Sequence, residues 1–184
     1  MKIIYYLIST FFLLTSHSLF AKGGNLNISP LYGFERVQKL SPEVKTKNRT
    51  FVGVRVVYGP PLFSFESEVT RSNDTETLPA RGITEEEESY AAKLGFRSSF
   101  NLVLLRWYIR AGGHARKSTY DRTENGVSTT REPAIYVSPY AGTGFTFNLA
   151  ANLFASGGIT AIFTGKPKGS DRDYQTTLAF GMRL

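Results

Sequence analysis

The chain has 184 residues, a formal net charge of +7 and no cysteine. It contains no basic nucleic-acid motif, no metal-ligand cluster and no phosphate-binding glycine loop, so the sequence predicts neither a nucleic-acid partner nor a cofactor. Without disulfides, an exported protein of this size depends on a sizeable core or on a closed sheet.

The first 21 residues have the pattern of a secretory signal peptide. Lys2 gives a positive start, residues 3–14 are an almost unbroken apolar run, and Ala21 closes a cleavage site. The run is too short to span a bilayer comfortably, and no later segment is a continuous apolar run of transmembrane-helix length, which excludes a helical membrane protein. We therefore predict a signal peptide over residues 1–21 and one domain over residues 22–184.

Eight segments of about ten residues then alternate apolar and polar side chains, as half-buried strands do. In the second segment, Val52, Val54 and Val56 share one parity, and Gly53 and Arg55 share the other. The predicted strands cover residues 26–38, 50–58, 62–70, 89–97, 103–111, 134–147, 150–163 and 174–184.

The connections between these strands alternate between long and short. Short turns lie near residues 59–61, 98–101 and 148, whereas the long polar connections are residues 40–49, 71–88, 114–132 and 164–173. A soluble sandwich has no reason to sort its loops by length, but a membrane barrel does. The pattern predicts an all-β, eight-stranded antiparallel up-and-down transmembrane β-barrel with short periplasmic turns and long extracellular loops. A soluble lipocalin-like periplasmic binder is the alternative.

One local signal conflicts with simple alternation. Asn125-Gly126 is the strongest hairpin signal in the chain and predicts a two-residue turn. Continuing that pairing sets Trp107 opposite Gly144, although the alternation assigns these two residues to opposite faces. Either a bulge at Gly112-Gly113 shifts the register or the turn is longer than two residues, and we favour the bulge.

The strand count, the sorted connections, the segment PYAGTGF at residues 139–145 and the alternating final strand resemble the small eight-stranded outer-membrane barrels, the OmpX-like, OmpA transmembrane and opacity-type group. The resemblance covers residues 24–184. It implies a monomer in the outer membrane of a Gram-negative type of envelope, inserted by the barrel insertion machinery and in contact with outer-membrane lipid. One departure is Leu184, where such proteins commonly end in Phe, although Phe180 keeps an aromatic side chain on the lipid face.

Nine charged residues have the parity that the barrel turns inward. A Lys or Arg that faces lipid at the membrane midplane costs about 2–4 kcal/mol, and the lumen of eight strands is just wide enough for side chains to fill. The sequence therefore predicts a packed structural network, with an anion-preferring small channel as the alternative. The nine residues are Glu35, Arg55, Glu66, Glu68, Lys93, Arg97, Arg106, Arg110 and Arg183.

His114 is the only histidine after the predicted signal peptide. Some barrels of the resembled group are lipid A modifying enzymes, which use a histidine with a serine and a carboxylate. Ser118 with Asp121 or Glu124 could supply these groups, but no nucleophile motif surrounds them. We therefore predict a solvated His114 at the membrane interface and a protein that is not an enzyme.

The charged connections predict contacts outside the bilayer. Glu85 to Glu88 lack the turn glycine of a calcium loop and indicate a solvated loop. Basic residues near an anionic leaflet are expected to meet lipopolysaccharide phosphates. These bases are Lys45, Lys47 and Arg49 in the first long connection, and Arg116, Lys117 and Arg122 in the third.

The sequence thus predicts a barrel that acts structurally, or in adhesion to an extracellular protein or surface ligand, through its exterior loops. A hairpin that continues to Asn125-Gly126 would project beyond the bilayer and present a strand edge to a partner. Lipid A modification and ion conduction are the alternative functions.

Overall fold

A computed structural model of the protein describes residues 26–39, 45–79, 82–102, 105–124, 126–165 and 172–184. The predicted signal peptide lies outside the described residues. No helix among them is long and apolar enough to cross a membrane. Nine strands are formed: β1 (Leu26–Lys39), β2 (Lys45–Tyr58), β3 (Ser64–Leu78), β4 (Ile83–Asn101), β5 (Arg106–Glu124), β6 (Val127–Arg131), β7 (Tyr136–Asn148), β8 (Leu153–Phe163) and β9 (Arg172–Arg183).

The strands form one sheet that closes on itself. Its order is β4-β3-β2-β1-β9-β8-β7-β5-β6, and β4 also pairs with β5. All pairings are antiparallel, and β6 and β7 both pair with β5, one beyond the other. They are therefore two parts of the sixth barrel strand, and the predicted eight-stranded antiparallel up-and-down barrel is confirmed.

The alternation in the sequence separates the lumen from the outer surface. In β9, for example, Gln175 and Thr177 are buried, whereas Leu178 and Phe180 are exposed. The same holds around the barrel, so the exposed apolar side chains form a band on the outer surface. Such a band is what lipid requires of a membrane barrel, because only the outward face meets hydrocarbon.

Aromatic rings and charges mark the two limits of this apolar band. Near the short turns, Phe63 stacks on Phe96 with ring centroids 4.8 Å apart, and Phe100 stacks on Trp107 at 5.4 Å. Aromatic girdles of this kind suit a membrane–water interface. Toward the other end, the exposed side chains become charged, at Arg36, Arg71, Lys117 and Arg172.

The short connections all lie at one end of the barrel, which we call the turn end. They join β2 to β3, β4 to β5 and β7 to β8. At the opposite hairpin end, β3 pairs with β4 up to Leu78 and Ile83, and β5 pairs with β6 up to Glu124 and Val127. β5 and β6 therefore form the predicted hairpin, and β4 and β5, at 19 residues each, greatly exceed the ~9–11 residues that cross a bilayer.

The predicted loops over residues 71–88 and 114–132 are wrong as loops, because most of their residues form these hairpin arms. β2 likewise begins at Lys45, inside the predicted connection 40–49. Each arm finds an in-register partner, so its backbone groups are satisfied by the ladder. Outside lipid both faces of an arm can be polar, which removes the apolar alternation by which the strands were recognised.

The predicted bulge at Gly112-Gly113 is also wrong. Both glycines pair regularly, with Gly95 and Leu94 on one side and with Tyr140 and Pro139 on the other. The register shift itself is real, since Trp107 pairs with Phe145 rather than with Gly144.

The extra residue lies in the returning chain. Tyr120 pairs with Arg131, and Arg116 pairs with Tyr136. Three residues of β5 therefore face the four residues 132–135, which is the arithmetic of a β-bulge. Pro133 lies in this segment and has no N–H for the ladder, which explains why the pairing breaks there.

Glycine makes room for an aromatic side chain inside the barrel. The Tyr108 ring is fully buried, and a Cβ at either Gly144 or Gly158 would collide with it. The glycines of the sixth and seventh barrel strands thus allow the lumen to hold a ring that eight strands could not otherwise accommodate.

Candidate functional site

Two carboxylates in the middle of the lumen bind four cations. Glu66 and Glu68 are inward neighbours on β3 and are fully buried. Arg110 lies 2.6 Å from Glu66 and 3.0 Å from Glu68, and Arg55 lies 2.7 Å from Glu68. Lys93 also pairs with Glu68, and Arg97 lies 3.5 Å from Glu66. We call these six residues the lower network.

The lower network reaches the opposite wall of the barrel. Its arginines donate hydrogen bonds to threonine hydroxyls of β7, β8 and β9, and the Arg97 guanidinium lies 3.6 Å from the centre of the Tyr108 ring. These contacts bridge the full width of the lumen. The threonine bonds are Arg97 to Thr146 at 2.9 Å, Arg110 to Thr160, and Arg55 to Thr177 at 3.5 Å.

Two of the nine predicted lumen residues lie apart from this network. Arg106 donates to Asn101, 2.9 Å away, and Arg183 bonds to Asn148. Both therefore contact residues at strand ends, at the turn end of the barrel. Their parity is inward, but they lie below the layer that contains the carboxylates.

Glu35 belongs to a second group nearer the hairpin end. Arg49 lies 2.8 Å from Glu35 and 2.7 Å from Glu87. Arg116 also pairs with Glu35 and lies 3.7 Å from Asp173, while Gln175 donates to Glu35 at 2.8 Å. We call Glu35, Arg49, Glu87, Arg116, Asp173 and Gln175 the upper network.

Five members of the upper network were not among the predicted lumen residues. Arg49 has the inward parity of Arg55, and Glu87 has that of Lys93, but both precede the predicted starts of their strands. Extending each alternation past the last apolar residue would have found them. The predicted lipopolysaccharide contacts of Arg49 and Arg116 are wrong, because both side chains point into the lumen and pair with Glu35.

The other bases of that prediction lie closer to solvent. Lys47 pairs with Asp74 at 2.6 Å, and Arg122 pairs with Glu124 at 2.7 Å. Lys117 is on the outer face of β5 and lies 3.1 Å from Glu132. The side chain of Lys45 lies outside the described part of the chain.

The glutamate run is not a solvated loop, which corrects that prediction. It forms part of β4, where Glu85 and Glu87 are buried on the inward face. Glu88 lies on the outer face and pairs with Arg71 at 2.6 Å. Strand alternation thus divides four consecutive carboxylates between two environments.

Glu87 is surrounded by hydroxyl groups. Its carboxylate accepts hydrogen bonds from Ser89 at 3.0 Å, Tyr120 at 3.2 Å and Ser118 at 3.3 Å. Tyr120 lies beyond the apolar band, and its burial, with the nearby Glu87 charge, raises the pKa of the phenol. Tyr120 therefore stays protonated and remains a donor to Glu87.

His114 is buried in the lumen, so the prediction of a solvated interfacial histidine is wrong. It is 2% exposed, and it lies between Lys93 and Ser138 across the sheet, at a level between the two networks. His114 is buried because it has the same position in the alternation of β5 as Arg110 and Arg116, whose side chains point into the lumen.

The structure does not assemble the groups considered for catalysis. Ser118 is bonded to Ser89 and Glu87, Asp121 accepts from Thr130, and Glu124 pairs with Arg122. Ser118 is four residues from His114 on one strand, roughly 13 Å along it. That separation is too long for a nucleophile and its base.

A cavity of about 440 Å³ opens at the hairpin end, above the lower network. We call it the vestibule. Its walls come from the inward faces of the strands and from the bulge, and among the described residues they include no group of three metal-binding side chains. The lining consists of Val37, Arg49, Glu85, Glu87, His114, Arg116, Ser118, Tyr120, Arg122, Thr129, Arg131, Pro133, Ala134, Tyr136, Thr164 and Asp173.

No protein-family model and no curated protein matches the chain, but solved membrane barrels do. Ail, the attachment invasion locus protein of Yersinia pestis, is 17% identical with a TM-score of 0.61, over 89% of this chain and 100% of that chain. The neisserial surface protein NspA is 12% identical with a TM-score of 0.60, over 89% and 99%.

The N-terminal β-barrel domain of Pseudomonas aeruginosa OprF is 14% identical with a TM-score of 0.58, over 88% of this chain and 100% of that domain. At such identities the similarity concerns the fold and not the function. It agrees with the closed sheet, the apolar outer band and the charged lumen. The chain therefore has the fold of the small eight-stranded outer-membrane β-barrels.

Proposed function

We propose that this protein is a non-enzymatic barrel of the outer membrane that makes surface contacts through its two long hairpins. The observation that carries the proposal is the length of β4 and β5, which continue past the apolar band as paired, polar arms. A purely structural barrel has no need of them, because about ten residues per strand suffice to cross the bilayer.

The β5–β6 hairpin supports a role in binding. All five residues of β6 are exposed, and among the described strands β6 pairs with β5 only. Its other edge presents backbone donors and acceptors to which an extended segment of a partner can add. On the β3–β4 hairpin, the pairing of β3 with β2 ends at Arg71, and beyond it Lys47 of β2 covers part of the edge by bonding to Asp74 and to the carbonyl of Thr75.

The interior supports a structural rather than a catalytic role. The charged side chains of the lower network bind one another. Ser138 lies opposite His114, but the His114 ring forms no hydrogen bond with any described serine or carboxylate, whereas a triad requires both. The outer face meets lipid, and Arg36, Arg71, Lys117 and Arg172 at its upper limit are suitably placed for anionic headgroups. An adhesion role is consistent with the name of Ail, an attachment protein.

The proposal is tested with bacteria that display the protein and adhere to an epithelial cell monolayer. A variant that lacks residues 121–130 loses the free edge, and a matched variant that lacks residues 75–86 shortens the other hairpin instead. We expect the first deletion to reduce adherence to the level of cells without the protein, and the second to keep most of it.

Folding is controlled on the same cells by a gel of boiled and unboiled outer-membrane fractions. A closed barrel resists detergent until it is heated, so both variants must retain a heat-dependent mobility shift. Adherence equal to that of the unaltered protein in both deletions, with the shift retained, would contradict the surface role. A soluble protein without a shift would contradict the membrane location.

A further inference from the structure

The vestibule has the size and the setting of a small-molecule site. Its volume of about 440 Å³ falls within the ~300–1,000 Å³ that is usual for ligand pockets. The lower network closes it from below, so a ligand enters from the hairpin end. The vestibule opens inside the barrel, and Thr129 and Arg131 of β6 contribute side chains to its lining.

Several residues that line the vestibule carry buried polar atoms that have no hydrogen-bond partner among the described residues. They include both ring nitrogens of His114, the Thr164 hydroxyl, and the Nε atoms of Arg116 and Arg122. His114 is 2% exposed and Thr164 is 4% exposed. Buried polar groups in native proteins are almost always satisfied, by protein or by ordered water, so these atoms have bonding capacity left for water or for a bound molecule that both donates and accepts.

The buried arginines of the upper network are already engaged with carboxylates. Arg49 is bound between Glu35 and Glu87, and Arg116 between Glu35 and Asp173. An ion would have to compete with these pairs, and breaking a buried pair is costly. A neutral ligand with several hydroxyl groups meets no such penalty, since it can bond to the donors and acceptors that remain.

Apolar surface completes the lining. Tyr136 and Pro133 lie on one wall, Tyr120 lies on the neighbouring strand, and Val37 lies across the mouth. Flat apolar side chains between hydrogen-bonding groups match a sugar ring, which has hydroxyl groups at its edge and C–H bonds on its faces. Tyrosine supplies such an amphipathic surface with little loss of conformational entropy.

We propose that the vestibule binds one uncharged, hexose-sized saccharide unit. His114 on β5 and Thr164 at the end of β8 bond to its hydroxyl groups. The Nε–H groups of Arg116 and Arg122 donate to its oxygens, and Tyr136 packs against its ring face. The ion pairs of the upper network keep Arg116 in place before binding, and Arg122 pairs with Glu124. The site uses side chains that face the vestibule, whereas the proposed adhesion role concerns the backbone edge of β6.

The test uses the full barrel in lipid nanodiscs prepared without alkyl glycoside detergents, which would occupy the site. Amide resonances are followed by NMR during titration with galactose, mannose, N-acetylglucosamine and their methyl glycosides. We expect saturable shifts confined to residues 114–122 and 133–137 for at least one of these sugars. A response to free hexoses alone indicates a soluble sugar, and a response to methyl glycosides indicates the end of a glycan.

Two variants and one control test whether the side chains of the vestibule bind the sugar. His114→Phe removes both nitrogens and fills space, and Thr164→Val removes one hydroxyl at nearly constant volume. We expect each to weaken binding about tenfold or more, as expected for loss of about one or two hydrogen bonds to a buried ligand. Lys117→Gln, on the outer face of the same strand, leaves binding unchanged.

Three outcomes would overturn the proposal. One is no saturable shift with any of the six sugars, and another is unchanged affinity in both variants. The third is tighter binding of benzoate or benzylamine to the same amides, because the site would then select charge rather than hydroxyl groups. Adherence of the His114→Phe protein is expected to be normal, which separates this test from that of the surface role.

Discussion

The stability of each buried charge in this lumen depends on its ion-pair partners. Glu68 contacts Arg55, Lys93 and Arg110, so one carboxylate neutralises parts of three cations. The lower network contains four cations and two carboxylates, and it has no further described acid to substitute for either. Loss of one carboxylate therefore leaves buried positive charges facing one another.

We predict that Glu68→Gln destabilises the barrel by about 3–5 kcal/mol, the usual cost of leaving a buried charge without its partner. The change is measured by denaturant unfolding in detergent micelles, followed by the fluorescence of Trp107. Glu88→Gln is the matched control. Its pair with Arg71 is 2.6 Å long, but the two side chains are 41% and 53% exposed, so we expect a loss below about 1 kcal/mol. Equal losses of stability in the two variants would contradict the prediction that the buried cations of the lower network depend on the Glu68 charge.

At the scale of the elements, the bulge lets the projecting hairpin and the barrel wall use different registers. β5 continues through both without interruption, whereas the returning chain breaks at residues 132–135. The extra residue also places Pro133 and Ala134 at the vestibule. The bulge therefore shapes the mouth of the barrel and is more than a break in pairing.

Deletion of Ala134 is predicted to make the pairing along β5 continuous, because residues 117–119 would then face three residues of the returning chain instead of four. The barrel register below and the Asn125-Gly126 turn above would both be kept. We expect stability to be unchanged or higher, and the amide protons of residues 117–119 to gain protection from hydrogen exchange. Deletion of Ala141, in the middle of β7, is the control and should prevent folding, since it moves every later inward residue to the lipid face. Unchanged exchange at residues 117–119 would contradict the prediction.

At the scale of the whole molecule, the closed sheet and the ion pairs across it determine what can pass. The lower network spans the lumen from the carboxylates of β3 to threonines of β7, β8 and β9. The barrel thus consists of an open vestibule above a layer of mutually bound charges. This arrangement favours binding at the mouth over transport through the protein.

We predict that the purified protein forms no steady conductance in planar bilayers at neutral pH, because ions would have to displace buried pairs. Current is recorded over a range of voltages, with the heat-denatured protein as the baseline. A stable conductance above that baseline, with a preference for anions, would instead favour the small-channel alternative and would require the lower network to open.

The sequence alone was sufficient for the barrel, because alternation is local and each strand records which of its faces meets lipid. It identified Arg55, Glu66, Glu68 and Arg110 as inward for the same reason. It failed at the hairpin arms, where water on both faces removes the apolar signal, and so it missed Arg49 and Glu87 and misjudged Arg116. Continuing the inward–outward alternation past the apolar part of each strand would have identified these residues as inward, but it would not have shown which residues they pair with.

Only the tertiary structure decided which charges meet, where the register shifts and what the mouth contains. Gln175 and Glu35 are 140 residues apart and become neighbours because β9 closes against β1. His114 acquires its surroundings from three strands, and the bulge was placed by the ladder on the opposite chain. Such contacts depend on closure of the whole sheet, and no periodicity within one strand contains that information.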